Sequence, residues 1–172
     1  MFNGFSHFIP NWTEWEAANL IIWDRLLNKG LRVTGLGASD THATAGAGCM
    51  WTGIPDCRLQ KASVLKAIRA GRVFASMGPA IDLTAGKVRM GGTAKPRAGK
   101  LTIRFEAADA YGLNWARVIA NGREVKRFEY RGAQHAVEEL TVRVGKRNGY
   151  VRVECAANDD RRACANPIYV KA

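Results

Sequence analysis

Asp40 and His42 form the residue pair best suited to chemistry in this sequence. They follow a β-branched and apolar run at residues 31–36, which predicts a strand. Side chains two residues apart on an extended chain project to the same side, so this carboxylate and imidazole could share one divalent metal ion. The same spacing is also typical of caps and surface loops. A serine nucleophile at Ser39 is disfavoured, because the Gly-x-Ser-x-Gly elbow is absent.

The four cysteines offer no alternative chemistry. They are Cys49, Cys57, Cys155 and Cys164, and no two of them have Cys-x-x-Cys spacing. The absence of this motif excludes zinc-ribbon and thioredoxin-like redox sites. Cys155 and Cys164 lie on either side of a polar turn, so a disulfide between the two predicted strands is geometrically possible. Reduced thiols are the expectation at this cysteine density.

Two helices and a strand are predicted upstream of Pro79. Thr13 and Glu16 have the form of a capping box, and Gly30 supplies a stop for the first helix. The buried face of that helix is expected to include Trp23 and a stripe at helical spacing: Trp15, Ala18, Ile22 and Leu26. A second helix is predicted over residues 61–70, followed by a strand over 72–76. For Arg72 we expect a structural ion pair, with contact to an anionic substrate as the alternative.

After Pro79 the apolar residues alternate with polar ones, which predicts half-buried strands. Residues 101–106, 140–144 and 151–155 show this period of two. Asn121-Gly122 is a strong hairpin signal between two such runs. The pattern favours an antiparallel β-sandwich of about seven strands over residues 80–172, with a domain boundary between residues 79 and 80.

Five segments, taken in order, resemble a known family. They are residues 2–4, 23–30, 37–42, 63–79 and 166–170. In order and spacing they resemble the C-terminal part of the PHP-superfamily (polymerase and histidinol phosphatase) metallohydrolases, in the branch of the carbaryl-hydrolase-like enzymes. The resemblance implies an α+β protein. Residues 1–79 would be the C-terminal strands and helices of a PHP-type α/β barrel, followed by the β-sandwich.

The resemblance also implies a function. In that family two or three metal ions (Mn, Zn or Fe) lie at the barrel strand ends, and Asp40 and His42 match two of the ligand positions. A metal-bridged hydroxide would then attack a small anionic or ester substrate, such as a phosphate ester. The chain has only His7, His42 and His135 and no His-x-His pair. His7 and His135 are interpreted as surface residues.

Two function classes follow from this ligand count. The first is the C-terminal fragment of a metal-dependent hydrolase such as a phosphoesterase, inactive alone and completed by the missing barrel half or by a second copy of the chain. The second is a non-catalytic β-sandwich module for binding or assembly. Ligand number discriminates between them, because even a minimal catalytic zinc site uses three protein ligands.

Charge and composition narrow the range of partners. The chain carries 26 Lys and Arg against 15 Asp and Glu, a net charge of +11, which attracts anions at long range. The basic residues are spread along the sequence without a nucleic-acid-binding motif, which favours a solubilising surface over a specific nucleic-acid face. No apolar run is long enough to span a membrane. The compartment stays open, with cytoplasm slightly preferred over periplasm or secretion.

Overall fold

The structure is a computed structural model that describes residues 2–6, 14–42, 44, 47–145 and 148–171. Within these ranges there are two α-helices, α1 (Glu14–Asn28) and α2 (Lys61–Arg69), and neither is long and apolar enough to cross a membrane. The strands are β1 (Phe2–Ser6), β2 (Gly35–Ala38), β3 (Trp51–Gly53), β4 (Phe74–Ser76), β5 (Ala80–Ala85), β6 (Val88–Arg89), β7 (Thr93–Ala94), β8 (Lys100–Ala120), β9 (Arg123–Arg143), β10 (Gly149–Ala157), β11 (Arg162–Ala165) and β12 (Ile168–Val170).

One ten-stranded sheet dominates the described part of the chain. Its central order is β3-β4-β11-β10-β8-β5-β6, with β9 paired to β8 and β12 paired to β10 and β7. Only the β7–β12 pair in this sheet is parallel. β1 and β2 form a separate parallel pair. Strands on both sides of Pro79 thus share the large sheet, and the division into domains at residues 79 and 80 stays a prediction.

The longest hairpin confirms the Asn-Gly prediction. β8 and β9 pair from Lys100 opposite Arg143 to Ala120 opposite Arg123, and Asn121 with Gly122 makes the turn. These two residues have φ angles of 52° and 77°. Positive φ at both central residues is the requirement of a type I′ turn, whose twist matches that of the flanking strands.

The main core lies on one face of the curled sheet. Along the first part of β8, buried Leu101, Ile103 and Phe105 alternate with exposed Thr102 and Arg104, as the period of two predicts. Strands β5 and β10 contribute facing residues, and the largest apolar cluster includes Ile81, Leu83, Val118, Val151 and Val153. Burial of these side chains is the main stabilising contribution of the fold.

Helix α1 covers part of the opposite face of the sheet. Its buried residues are Leu20, Trp23 and Leu27, which pack with Met50, Ala75, Met77, Tyr150 and Cys164. The burial of Trp23 agrees with its predicted role. The predicted stripe is wrong at Ala18 and Ile22, which are exposed, whereas the side chain of Trp15 lies outside the described residues. Apolar residues 20–23 lie on more than one face of the helix. The helical spacing of apolar residues therefore could not identify which face is buried.

A buried charge network fastens α1 to β10. Arg152 donates from Nε to Asp24 Oδ1 at 2.8 Å and from Nη2 to Asp24 Oδ2 at 2.7 Å. Arg152 also donates to Glu154, which accepts a further bond from Arg117 Nε at 2.7 Å. The Tyr150 hydroxyl donates to Asp24 Oδ1 at 2.5 Å. Although burial would lower the pKa of Arg152, Glu154 and Asp24 raise it well above its ordinary value, so the guanidinium is charged.

The predicted fold class, α+β with a PHP-type barrel, is wrong. Within the described ranges the regular elements are mostly strands, with two helices, and most of the strands form a curled antiparallel sheet rather than a PHP-type α/β barrel. Strands β3 and β4, from the segment expected to complete a barrel, pair instead with each other and with β11. The β-sandwich expectation is the part of the prediction that agrees with this architecture.

None of the four cysteines, all within the described ranges, forms a disulfide. Cys155 lies opposite Ala163, and Cys164 lies opposite Glu154, so the two cysteines are on different faces of the sheet and cannot form the disulfide that the sequence left open. Burial raises the pKa of the Cys164 thiol to about 12 and that of Cys155 above its ordinary range. Cys49 and Cys57 are only partly buried.

These environments predict two classes of thiol. With excess iodoacetamide at neutral pH, Cys49 and Cys57 should be alkylated in the folded protein, whereas Cys155 and Cys164 should react only after denaturation. The reason is that the thiolate is the reacting species, and burial disfavours it. Peptide mass spectrometry with and without denaturant measures this. Alkylation of Cys164 in the folded chain as fast as that of Cys57 would contradict the buried placement.

Candidate anion-binding cavity

The predicted ligand pair lies just beyond β2. That strand begins at Gly35, later than the expected residue 31, and it ends two residues before Asp40. Asp40 and His42 are both exposed, and Asp40 has a φ of 47°, in the left-handed region. Asx residues adopt this conformation more readily than most. The pair therefore occupies a surface loop.

A metal ion at Asp40 and His42 stays a prediction. Among the described residues there is no group of three or more His, Cys, Asp or Glu side chains that could hold a metal. Two exposed side chains fall short of a catalytic zinc site, so the arrangement does not fit the metal centre that the resemblance implied. Metal analysis of the purified chain beside a His42→Ala variant tests whether the pair binds a single ion.

The other two histidines contribute no ligand set in the described region. His7 lies outside the described residues. His135 is exposed on β9, with Nε2 at 2.9 Å from Glu106 Oε1. The hydrogen bond to His135 lowers the pKa of Glu106.

A basic cavity elsewhere in the molecule is the stronger candidate site. It has a volume of about 640 Å³ and lies where the C-terminal end of α2 meets β6, β7 and β12. Five basic side chains line it: Arg32, Arg69, Arg72, Lys87 and Arg89. Its remaining walls come from small and neutral residues, among them Thr34, Gly71, Gly91, Gly92, Thr93 and Tyr169. No acidic residue is part of the described lining.

Close backbone contact at two glycines forms the wall of this cavity. Gly91, with a φ of 76°, lies so close to the end of α2 that a Cβ there would come within 1.8 Å of the Ala70 carbonyl oxygen. The Gly91 amide donates to Pro167 O at 2.8 Å, which holds the loop after β6 against the segment before β12. Gly71 ends α2 with a φ of 68°. Only glycine accommodates both the left-handed backbone and the contact at Gly91.

The side chain of Asn166, which lines the cavity, links three backbone segments by hydrogen bonds. Its side chain is buried, donates to Gly35 O and Val73 O at 2.8 Å each, and accepts from the Gly35 amide at 2.8 Å. These bonds use the capacity of the amide for neighbouring backbone. Asn166 is therefore a positioning residue that joins β2 and β4 to the chain before β12.

The charges of the cavity are only partly neutralised. Arg89 is paired with Asp56 at 2.8 Å and with Asp82 at 2.9 Å. Among the described residues, Arg69, Arg72 and Lys87 have no ion-pair partner, and all three are exposed. The ion pair expected for Arg72 is thus not observed in this region. Unpaired guanidinium and ammonium groups around a concave surface attract anions.

Two further contacts orient the basic groups. The Arg32 guanidinium lies 4.5 Å from the centroid of the Tyr169 ring and donates to Thr93 Oγ1. Burial raises the pKa of Tyr169, so the phenol stays protonated near neutral pH. Although burial would lower the pKa of Arg89, its hydrogen bonds to Asp56 and Asp82 raise it.

Sequence reasoning missed this cavity. The basic residues come from three stretches, residues 32, 69–72 and 87–89, and the sequence pattern was interpreted as scattered solvated charge. A usable signal was present. Arg69 and Arg72 flank Gly71, and Lys87 with Arg89 lies between Gly86 and Gly91, so basic residues adjoin glycines where close backbone approach occurs.

Comparisons with known proteins do not assign a family. No family model matches the sequence, and no curated protein matches it. The chain is similar in structure to a lytic polysaccharide monooxygenase of Jonesia denitrificans determined by neutron crystallography, with a TM-score of 0.39, 9% identity and coverage of 86% of this chain and 92% of that chain. The predicted membership of the PHP superfamily is corrected accordingly, and so is the expected phosphoesterase activity that rested on it.

Proposed function

We propose that this chain is a non-catalytic β-sandwich module that binds a phosphate-bearing small molecule in the basic cavity. The observation that carries the proposal is the lining itself. Five basic side chains converge there without an acidic one, and among the described residues only Arg89 of the five has an ion-pair partner. Concave sites for small ligands typically enclose about 300–1,000 Å³, and the volume of this cavity lies within that range.

Phosphate is the anion that the lining fits best. A guanidinium presents its N–H donors in a planar fork that matches two phosphate oxygens, and the four arginines supply several such forks. Lys87 adds a compact charge, and the Thr93 hydroxyl adds a polar group. The net charge of +11 raises the local concentration of anions around the whole molecule.

Arg72→Met tests the proposal directly. Phenyl phosphate binding, measured by isothermal titration calorimetry at low salt, should weaken about tenfold, because one charge-assisted contact is lost while the aliphatic stem is kept. Arg143→Met is the matched control. Arg143 is exposed on β9 away from the cavity, and its replacement changes net charge by the same amount. The control should bind phenyl phosphate as the unmodified chain does.

Two results would overturn the proposal. One is the absence of measurable phenyl phosphate binding by the unmodified chain at low salt. The other is equal weakening by Arg72→Met and Arg143→Met, which would indicate attraction by net charge alone. Binding should also strengthen as pH rises through the second phosphate pKa of about 6, since the ligand gains charge. No histidine in the described lining titrates against it.

A further inference from the structure

We infer, as an extension of the proposed function, that the ligand is a linear oligophosphate that spans two adjoining cavities. The second cavity, called here the side cavity, has a volume of about 240 Å³ and lies between α2 and the loop after β3. Its lining includes Arg58, Ser63 and Lys66. It also includes Arg72 and Arg89, which line the main cavity as well. The two cavities are therefore neighbours that share Arg72 and Arg89 in their linings.

The joined surface carries more positive charge than one phosphate would neutralise. Arg58 and Lys66 add to the five basic residues of the main cavity, which brings the total to seven. Arg58 and Lys66 are exposed and have no ion-pair partner within the described residues. A chain of linked phosphates would place successive charges along such a surface, and each added contact would form at a high effective concentration.

Asp56 shows how an anion is held at the junction. It is the one acidic residue of the two described linings, and its carboxylate lies 2.8 Å from Arg89 Nη2. Its side chain is 79% exposed, and its φ is 50°. Because Asp82 also pairs with Arg89, this guanidinium keeps a partner when Asp56 is displaced. A ligand phosphate would therefore compete with Asp56 for the Arg89 guanidinium.

The lining favours a phosphate chain over a nucleic-acid strand. Proteins that bind single strands present aromatic faces on which bases stack. Tyr169 is the only aromatic residue in the two described linings, and the Arg32 guanidinium lies over its ring. The two described linings therefore match the negative charge of a phosphate chain. They offer no aromatic platform on which bases could stack.

A length series of phosphates tests this inference. Inorganic phosphate, pyrophosphate and tripolyphosphate are titrated by calorimetry into the unmodified chain, Lys66→Met and Asp56→Asn. We expect tripolyphosphate to bind at least about tenfold more tightly than phosphate. Lys66→Met should weaken tripolyphosphate about fivefold or more and phosphate less than about twofold, since Lys66 lines only the side cavity. Asp56→Asn should strengthen tripolyphosphate binding, because the competing carboxylate is gone.

The outcomes separate this inference from the proposed function. Lys100→Met is the control, because Lys100 is exposed on β8 and its loss changes net charge equally. If phosphate binds and depends on Arg72 but Lys66→Met affects tripolyphosphate no more than Lys100→Met does, the inference fails while the proposed function stands. If no phosphate of any length binds, both fail. A single-stranded oligonucleotide that binds more tightly than tripolyphosphate, with dependence on Lys66, would also overturn the inference.

Discussion

Arg152→Met is expected to lower the free energy of unfolding by about 3–5 kcal/mol, because it removes the cation that Asp24 and Glu154 share in a buried network. Only 2% of the Arg152 side chain is exposed, so water cannot replace the lost contacts. Urea denaturation followed by tryptophan fluorescence measures the change. Trp23 should report it sensitively, since the Arg152 guanidinium lies 5.3 Å from its ring centroid.

Two comparisons make this result interpretable. Arg143→Met on exposed β9 should change stability by less than about 0.5 kcal/mol. Adding Asp24→Leu to the Arg152→Met background should restore part of the loss, since an uncompensated carboxylate is then removed from the interface. A loss below about 1 kcal/mol for Arg152→Met would show that the network does not hold α1 on the sheet.

Gly91→Ala is expected both to destabilise the fold and to weaken phosphate binding. The new Cβ would lie 1.8 Å from the Ala70 carbonyl oxygen, so α2 and the loop after β6 must separate. The left-handed backbone costs about 1–2 kcal/mol for a residue with a Cβ. The overlap adds roughly 1–3 kcal/mol. Because this contact builds the wall between Arg69 and Lys87, phenyl phosphate affinity should fall at least about tenfold with it.

Gly86→Ala provides the matched control for Gly91→Ala. Gly86 also has a positive φ, 58°, but a Cβ there would meet nothing within 4 Å. It should show the backbone cost alone and keep phosphate affinity within about twofold. Thermal unfolding and calorimetry on the two variants measure both effects. Equal loss of stability and equal affinity in both would contradict the role of the Gly91 contact.

Local elements were predictable because they depend on neighbouring residues. The alternation at Leu101, Ile103 and Phe105 placed β8, and the Asn121-Gly122 pair placed its hairpin turn. The second helix was expected over residues 61–70 and is observed as α2 (Lys61–Arg69). Turn chemistry and hydrophobic period act over a few residues, so the sequence alone carries these signals.

The faces that other elements cover were not predictable in this way. Arg152 and Glu154 alternate with apolar residues and were expected on a solvated face, yet both are buried. Alternation identifies the apolar side of a strand, but it does not show that α1 will lie over the polar side. The PHP-type barrel failed for a related reason. Short apolar runs such as residues 51–53 and 74–76 leave strand partners unspecified, and here they pair antiparallel.

The sequence by itself determined the alternating segments of β8 and β10, the principal hairpin, the two helices and the excess of positive charge. The tertiary structure alone decided where that charge is concentrated. Arg32, Arg72 and Arg89 lie far apart along the chain, and they line one cavity because Gly71 and Gly91 bring α2 against the loop after β6. Convergence of distant residues depends on packing and strand order, which local patterns do not encode.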